Sequence, residues 1–264
     1  MTPKPVTIST LGRMKTDGVK ISMLTAYDYT MAAILDSAGV DVLLVGDSLG
    51  MVIQGQKTTI PVTLRHMIYH GQLVTRAAQR AMVIVDLPFP HGQLGVAKTL
   101  AVSAKIMKQT QCAAVKLEGG AEQAETIHAM VAAGIPVMAH VGLRPQSVHA
   151  LGGYRVQRNA DQILNDAKAA EAAGAFGVLM ECVPADIAKD VTQELNVPTI
   201  GIGAGPDCDG QVLVTHDLLG LTTGRVPKFV RQTADLGQSM SDAVRQYNES
   251  VRDGSFPNAD ESFS

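Results

Sequence analysis

The chain has 264 residues and a formal net charge of −3 at pH 7, from 22 basic and 25 acidic side chains. This length suits one large domain or two small ones, and the near-neutral balance argues against the clustered basic surface of nucleic-acid-binding proteins. Tryptophan is absent and aromatic residues make up only 4%, so a base-stacking platform is not expected. Hydrophobic residues reach 46%, yet no uninterrupted apolar run is long enough to span a bilayer.

The N-terminal sequence and the cysteines both favour a cytoplasmic protein. The opening stretch MTPKPVTISTLGRMKTDG has neither an apolar core nor a small-residue cleavage site, so it does not resemble a secretory signal. Cys112, Cys182 and Cys208 are too few and too far apart for a disulfide framework or a zinc site. We therefore expect free thiols in a reducing compartment, and neither nucleic acid nor membrane as a partner.

Short apolar runs alternate with longer helical stretches after the first twenty residues. Each run is rich in Val, Ile, Leu or Met, which predicts strands covered on both faces, as in a parallel sheet. The predicted strands are Ile21–Tyr27, Val40–Gly46, Met82–Leu87, Ala113–Glu118, Pro136–Val141, Gly177–Cys182, Pro198–Ile202 and Gln211–Thr215. The predicted helices include Thr63–Gln79, Val96–Gln109, Ala121–Ala133, Asp161–Ala173, Ala185–Leu195 and Ser239–Arg252.

Several of these helices have recognisable ends. Thr63 and Asp161 are expected as N-caps, because a short side chain with an oxygen can accept a hydrogen bond from a free amide. Gly134 and Gly174 each follow an Ala-Ala pair, where a C-terminal cap belongs. The glycine-rich stretch GIGAGPDCDG at 201–210 lacks the lysine of a phosphate-binding loop, so it predicts a tight strand-to-helix turn.

Eight strands alternating with helices predict a (β/α)8 barrel. The rival architecture is an open doubly wound sheet, which is disfavoured because the sequence has no GxGxxG turn and no obvious second domain. We expect one domain over residues 1–264. It has an N-terminal arm over about residues 1–20 and a polar tail over about 253–264.

Polar residues fall at the C-terminal ends of the predicted strands, where a barrel of this kind carries its active site. A polar side chain in an otherwise apolar run needs a partner once it is buried, so we expect these residues to meet at one end of the barrel. In chain order they are Asp28, Asp47, Ser48, Asp86, Lys116, Glu118, His140 and Glu181.

Asp47 and Asp86 are candidates for a metal site. Two carboxylates at the same end of neighbouring strands repel each other unless a cation or a proton lies between them. Magnesium is commonly held by one or two carboxylates, with water and substrate completing its octahedron. Each aspartate has an alternative role as a turn residue that caps the next segment. No set of ligands suggests zinc or iron, and His140 is expected as a buried, hydrogen-bonded histidine.

Lys116 and Glu118 are two residues apart on one predicted strand and therefore point to the same face. They form either an ion pair inside the barrel or a functional pair, in which Lys116 binds an oxyanion and Glu118 reaches a metal directly or through water. A desolvated Lys116 is also a candidate Schiff-base nucleophile. Glu181 is a candidate for proton transfer, because burial raises the pKa of a carboxyl group, or else a further partner for Lys116.

With these segments in place, the sequence resembles the ketopantoate hydroxymethyltransferase family. The resemblance implies a (β/α)8 barrel of the phosphoenolpyruvate/pyruvate-binding type. Departures from the family pattern occur at Pro90–Gly92 and at Arg144, where threonine is usual. The matching stretches are TAYD at 25–28, VGDSLGM at 45–51, PVT at 61–63, DLPF at 86–89, VKLEGG at 115–120, GLRPQSV at 142–148, LGGYRVQ at 151–157, ECVP at 181–184, IGIGAG at 200–205, HD at 216–217 and PKF at 227–229.

The resemblance implies a magnesium-dependent transferase of pantothenate biosynthesis and, for the assembly, a homodecamer. The reaction moves a one-carbon unit from 5,10-methylenetetrahydrofolate to 3-methyl-2-oxobutanoate, giving 2-dehydropantoate and tetrahydrofolate. By the same resemblance Asp47, Asp86 and Glu118 are metal ligands, and Glu181 is the proton acceptor. The implied contacts to the 2-oxoacid are Asp47, Ser48, Asp86 and Lys116.

Three other functions stay open at this stage. A magnesium-dependent 2-oxoacid C–C lyase or mutase of the same barrel superfamily would turn over without folate. A Schiff-base aldolase built on Lys116 would be trapped by borohydride and indifferent to EDTA. A non-catalytic ligand-binding or scaffolding barrel is the least expected, because polar residues converge at the strand ends, although fold alone does not establish chemistry.

Overall fold

The computed structural model describes residues 4–263. Eight parallel strands close into a barrel in chain order, which confirms the predicted architecture. The strands are β1 (Ile21–Thr25), β2 (Val42–Val45), β3 (Met82–Asp86), β4 (Ala114–Glu118), β5 (Val137–Gly142), β6 (Gly177–Glu181), β7 (Thr199–Ile202) and β8 (Gly210–Leu213). The α-helices are α1 (Ile8–Thr16), α2 (Tyr29–Ser37), α3 (Leu49–Val52), α4 (Leu64–Ala77), α5 (Val96–Thr110), α6 (Ala124–Ala132), α7 (Ala160–Ala172), α8 (Ala185–Glu194), α9 (Thr215–Leu218) and α10 (Leu236–Asp253).

Successive residues of each strand pack on opposite sides of the barrel wall, because side chains alternate along a strand. On β3, Val83 and Val85 pack in the cluster shared with the surrounding helices, whereas Met82 and Ile84 belong to the cluster inside the barrel. The same alternation holds on β4, where Ala114 faces inward and Val115 outward. Residues at even positions late in β3, β4 and β5 are therefore directed into the barrel.

Helix α1 lies within the expected N-terminal arm and is tied to the barrel interior. Thr7 caps it by accepting a hydrogen bond from the backbone of Thr10 at 3.3 Å. Val6 and Leu11 are buried in the same cluster as Ile21 and Met82, which begin β1 and β3. The arm thus supplies apolar side chains to the end of the barrel opposite the polar strand ends.

Most predicted helix ends are confirmed, with two corrections. Thr63 caps α4 as predicted, and Gly134 and Gly174 follow α6 and α7 with φ of 81° and 98°. Asp161 is not the N-cap of α7: the helix begins one residue earlier, so the side chain of Asn159 accepts the hydrogen bond from Gln162.

The second correction concerns the glycine-rich stretch at 201–210. It links β7 directly to β8 with no helix between them, so the predicted strand-to-helix turn is wrong. Gly203 and Gly205 have φ of 61° and 78°, and Pro206 follows. Left-handed backbone next to a proline does not propagate a helix.

The chain divides into two compact units, one ending at Val214 and one beginning at Thr215. In the second unit α10 includes the predicted helix Ser239–Arg252 and begins three residues earlier, where Asp235 caps it by accepting from Gln238 at 3.1 Å. A single domain with a polar tail stays a prediction. No helix among residues 4–263 is both long and apolar enough to cross a membrane.

Candidate active site

The C-terminal ends of β2 to β6 bring most of the expected polar residues together. On β3, β4 and β5 the even-numbered residues face into the barrel, so Asp86, Lys116 and His140 lie inside it. On β6 the odd-numbered Leu179 faces inward, and Glu181, two residues later, faces the same way. Strand register puts Asp86 beside Lys116 and Glu118 beside His140. The residues of this polar cluster are Asp47, Asp86, Lys116, Glu118, His140 and Glu181, and all except the partly exposed Glu181 are buried.

Asp47 and Asp86 lie side by side. The backbone N–H of Asp47 donates to Oδ2 of Asp86 at 3.0 Å. The turn that allows this contact passes through Gly46, where a Cβ atom would lie 2.7 Å from Oγ of Ser48 and 3.6 Å from Oδ2 of Asp86. Asp47 and Asp86 therefore meet because a glycine lets the chain turn tightly after β2.

Lys116 pairs with Asp86 and contacts His140. Its Nζ atom is 3.1 Å from Oδ1 of Asp86 and 3.0 Å from Nδ1 of His140. Burial by itself would lower the pKa of Lys116, but the negative charges of Asp86 and the other cluster carboxylates outweigh it and raise that pKa above its usual value. Lys116 is therefore an ammonium group at neutral pH.

His140 is neutral and lies between Lys116 and Glu181. Burial, together with the positive charge of Lys116, holds the pKa of His140 well below its usual range. An ammonium group has only donors, so Nδ1 of His140 accepts from Lys116 and the ring proton resides on Nε2. That atom is 3.3 Å from Oε2 of Glu181 but makes no hydrogen bond among the described residues.

Glu181 is the most accessible acid of the cluster, with a side chain 18% exposed. Burial raises its pKa to about 7, against the opposing charge of Lys116. A carboxyl group that titrates near neutrality can both accept and return a proton at working pH. The position therefore suits a general base.

The cluster carries an excess of negative charge. Four carboxyl groups surround one ammonium, and burial together with the charge of Asp86 raises the pKa of Asp47 to about 7. Burial and Asp47 likewise raise the pKa of Glu118 well above its usual value, and Glu118 Oε1 is buried without a hydrogen-bond partner. A divalent cation would relieve this repulsion.

The donor set fits a hard cation with few protein ligands. Among residues 4–263, no group of three or more His, Cys, Asp or Glu side chains is arranged to hold a metal ion by itself. Two carboxylates, with water and substrate in the other positions, is an arrangement common for Mg²⁺. Asp47 and Asp86 are adjacent and match that requirement, and Glu118 is connected to Asp47 through Gln146.

Two polar residues of the site had no role in the sequence analysis. Gln146 is buried and donates to Asp47 and to the backbone of Leu87, both at 2.8 Å. Tyr27 is buried, and its hydroxyl is 2.8 Å from that of Ser48. Both lie in sequence stretches that match the family, and each of these stretches begins at the last residue of a strand. That position was the signal in the sequence that could have identified them.

One expected residue lies elsewhere. Asp28 is exposed, and its side chain caps α2 by accepting from the backbone of Met31 at 2.8 Å.

At the rim of the barrel, Arg144 pairs with Glu122. The hydroxyl of the half-exposed Tyr154 is 3.6 Å from Sδ of Met51.

Comparisons with known proteins cover nearly the whole chain. A family model described as ketopantoate hydroxymethyltransferase matches residues 5–259. A protein of Rhodopirellula baltica named 3-methyl-2-oxobutanoate hydroxymethyltransferase is 60% identical over 258 residues, covering 98% of this chain and 96% of the relative. One of the same name from Desulforapulum autotrophicum is 52% identical over 252 residues, covering 96% of each.

Solved structures agree on the fold. A 2,3-dimethylmalate lyase, described as a member of the PEP mutase/isocitrate lyase superfamily, has a TM-score of 0.60 at 18% identity, covering 97% of this chain and 91% of the other. A phosphonopyruvate hydrolase solved with oxalate and Mg²⁺ has a TM-score of 0.62 at 14% identity, covering 96% and 92%. These likenesses agree with the closed (β/α)8 barrel seen in this chain.

Proposed function

The chain belongs to the ketopantoate hydroxymethyltransferase family, and we propose that the polar cluster at the mouth of its barrel is where it transfers a hydroxymethyl group to 3-methyl-2-oxobutanoate. We propose 5,10-methylenetetrahydrofolate as the one-carbon donor and Mg²⁺ as the cofactor. The observation that carries the assignment of the site is the proximity of Asp47, Asp86, Lys116 and Glu181 at the C-terminal ends of four different strands.

Asp47 and Asp86 are proposed as ligands of the ion, with Glu118 as the third, acting through water. All three offer oxygen atoms, the donors that Mg²⁺ prefers, and they bring the excess negative charge described above. When bound, the ion supplies Lewis-acid polarisation of the keto group of the substrate.

The chain's own groups account for substrate binding and proton transfer. The ammonium of Lys116 and the hydroxyl of Ser48 are donors for the oxygens of the 2-oxoacid, and the carboxylates of Asp47 and Asp86 border the same position. Glu181 takes the proton from C3 of the substrate, and Lys116 stabilises the charge that develops on the keto oxygen. Water breaks the two C–N bonds of the methylene bridge: its hydrogens go to the two nitrogens of tetrahydrofolate, and its oxygen stays on the one-carbon unit. C3 then bonds to that carbon, and the alkoxide that forms takes back the proton held by Glu181.

His140 keeps the base aligned. As a neutral ring it accepts from Lys116 and places Nε2 3.3 Å from Oε2 of Glu181. It thus adds no charge of its own beside the base, and its ring lies between Lys116 and Glu181. We assign it a positioning role.

The experiment is an assay of purified protein with 3-methyl-2-oxobutanoate and 5,10-methylenetetrahydrofolate, with and without Mg²⁺. We expect turnover that requires all three, and loss of turnover in Asp47→Asn. Asp28→Asn is the matched control, because Asp28 is an exposed helix cap. Turnover that continues in EDTA, or in Asp47→Asn, would refute the proposed metal site.

The comparisons favour hydroxymethyl transfer over a folate-independent lyase or mutase. The Schiff-base alternative conflicts with the chemistry of Lys116, because its raised pKa keeps it protonated and a protonated amine is not a nucleophile.

The homodecamer is a proposal that rests on resemblance, and light scattering of the purified protein tests it.

A further inference from the structure

Gln146 forms hydrogen bonds to residues at the C-terminal ends of three strands, β2, β3 and β4. It lies in a short 3-10 turn, Pro145–Ser147, that follows β5. Its side-chain Nε2 donates to Oδ2 of Asp47 and to the carbonyl oxygen of Leu87, both at 2.8 Å, and its backbone N–H donates to Oε2 of Glu118 at 3.1 Å. One buried residue therefore holds the carboxylates that follow β2 and end β4, together with the chain leaving β3.

The chemistry of an amide suits this position. Both hydrogens of the Nε2 group are used, so its orientation is fixed from two sides. An ammonium in the same place would neutralise Asp47 and compete with a cation for it, whereas a carboxylate would add another buried negative charge. The neutral amide holds Asp47 by a hydrogen bond and leaves its charge available.

The hydrogen bond also selects one oxygen of Asp47. Oδ2 accepts from Gln146, whereas no hydrogen bond from the described part of the chain reaches Oδ1. Asp47 has no ion-pair partner in that part either, unlike Asp86, which pairs with Lys116. The orientation of Asp47 thus depends on a neutral neighbour, and the same neighbour sets the position of Glu118.

We infer that Gln146 is a positioning residue that orients Asp47 and Glu118 for the divalent cation and so sets the affinity of the site for it. The inference rests on the proposed function, because it takes Asp47 to be a ligand. Residues that orient metal ligands through hydrogen bonds change metal affinity by about tenfold to hundredfold when they are replaced.

The test measures Mg²⁺ binding to the folded, metal-free protein by calorimetry, without substrates. We expect Gln146→Met, which keeps the shape and the backbone N–H but removes both side-chain donors, to weaken Mg²⁺ binding by about tenfold to hundredfold. Gln72→Met is the matched control, because Gln72 uses its side chain at the surface, donating to the backbone of Gln109. Unchanged affinity in a folded Gln146→Met protein would overturn the inference.

A double-mutant cycle separates positioning from a general loss of stability. If Gln146 acts through Asp47, Gln146→Met should have little further effect in an Asp47→Asn background, whereas independent effects that multiply would contradict the inference. If Gln146→Met fails to fold, Gln146→Asn keeps the amide with a shorter reach, and its Mg²⁺ affinity is expected to fall as well. If the wild-type protein does not bind Mg²⁺, the proposed function is overturned. If the wild-type protein binds Mg²⁺ and the folded Gln146 variants bind it equally well, only this inference is overturned.

Discussion

Nε2 of His140 lies 3.3 Å from Oε2 of Glu181, while Nδ1 of the same ring lies 3.0 Å from Nζ of Lys116. One neutral imidazole therefore separates the candidate base from the candidate oxyanion donor. Burial raises the pKa of Glu181 to about 7, against the charge of Lys116, which lies on the other side of the ring.

Replacing the base should separate binding from proton transfer. We expect Glu181→Gln to keep Mg²⁺ and 3-methyl-2-oxobutanoate binding, because the amide is nearly the same size, and to slow exchange of the C3 proton with solvent by about 10²- to 10⁴-fold. Deuterium exchange followed by NMR measures this. Exchange at the wild-type rate would show that another group removes the proton.

Removing the imidazole should impair the base indirectly. His140→Phe keeps a ring but loses both nitrogen contacts, so we expect slower C3 exchange and a shifted pH dependence of exchange, with near-normal Mg²⁺ affinity. His140→Gln, which retains hydrogen-bonding groups, should restore part of the rate. Identical exchange kinetics in His140→Phe and wild type would contradict the positioning role.

The pH dependence of activity follows from Glu181. A base must be deprotonated to act. We therefore expect kcat/KM to rise with pH on the acid side, with a midpoint near pH 7, and to level off above it. Stopped-assay profiles at saturating Mg²⁺ measure this rise. In Glu181→Gln the residual activity should not show this rise near pH 7. If the rise persists unchanged, a group other than Glu181 causes it.

The same group makes the stability of the metal-free protein depend on pH. The folded pKa of Glu181, about 7, lies above the ordinary value of 4.5 that it has in the unfolded chain. Its contribution to stability is therefore full below pH 4.5 and is lost as the pH rises through 7. Between pH 4 and pH 8 we expect wild type to lose about 3 kcal/mol more of its unfolding free energy than Glu181→Gln does. Urea titrations in EDTA measure this difference, and parallel losses in the two proteins would refute it.

The tight turn after β2 gives a test of site geometry. In Gly46→Ala the new methyl group would meet Oγ of Ser48 at 2.7 Å, so the hydroxyl must leave its contact with Tyr27. We expect the fold to survive, with KM for the 2-oxoacid raised by about tenfold, since one hydrogen bond near a charged substrate is worth roughly that much. Gly12→Ala is the control, because nothing lies within 4 Å of its added Cβ. Equal KM values in the two variants would argue against a role for Ser48.

The sequence by itself determined the barrel and the direction of its polar residues. Continuous apolar runs predicted eight buried parallel strands, and the two-residue period of a strand determined that Lys116 and Glu118 share a face. The family motifs then named the chemistry. These inferences succeed because they depend on order within one strand or on short local motifs.

Only the tertiary structure decided how the groups meet. The link from Gln146 to Asp47 joins residues 99 positions apart, and its existence depends on how the closed sheet staggers its strands. The same closure turned His140 between Lys116 and Glu181 and thereby fixed its neutral tautomer. Asp28, by contrast, stands after a strand like the others but faces outward, because α2 begins at the next residue and uses it as a cap. Local sequence does not carry these contacts, since they arise from the packing of distant segments.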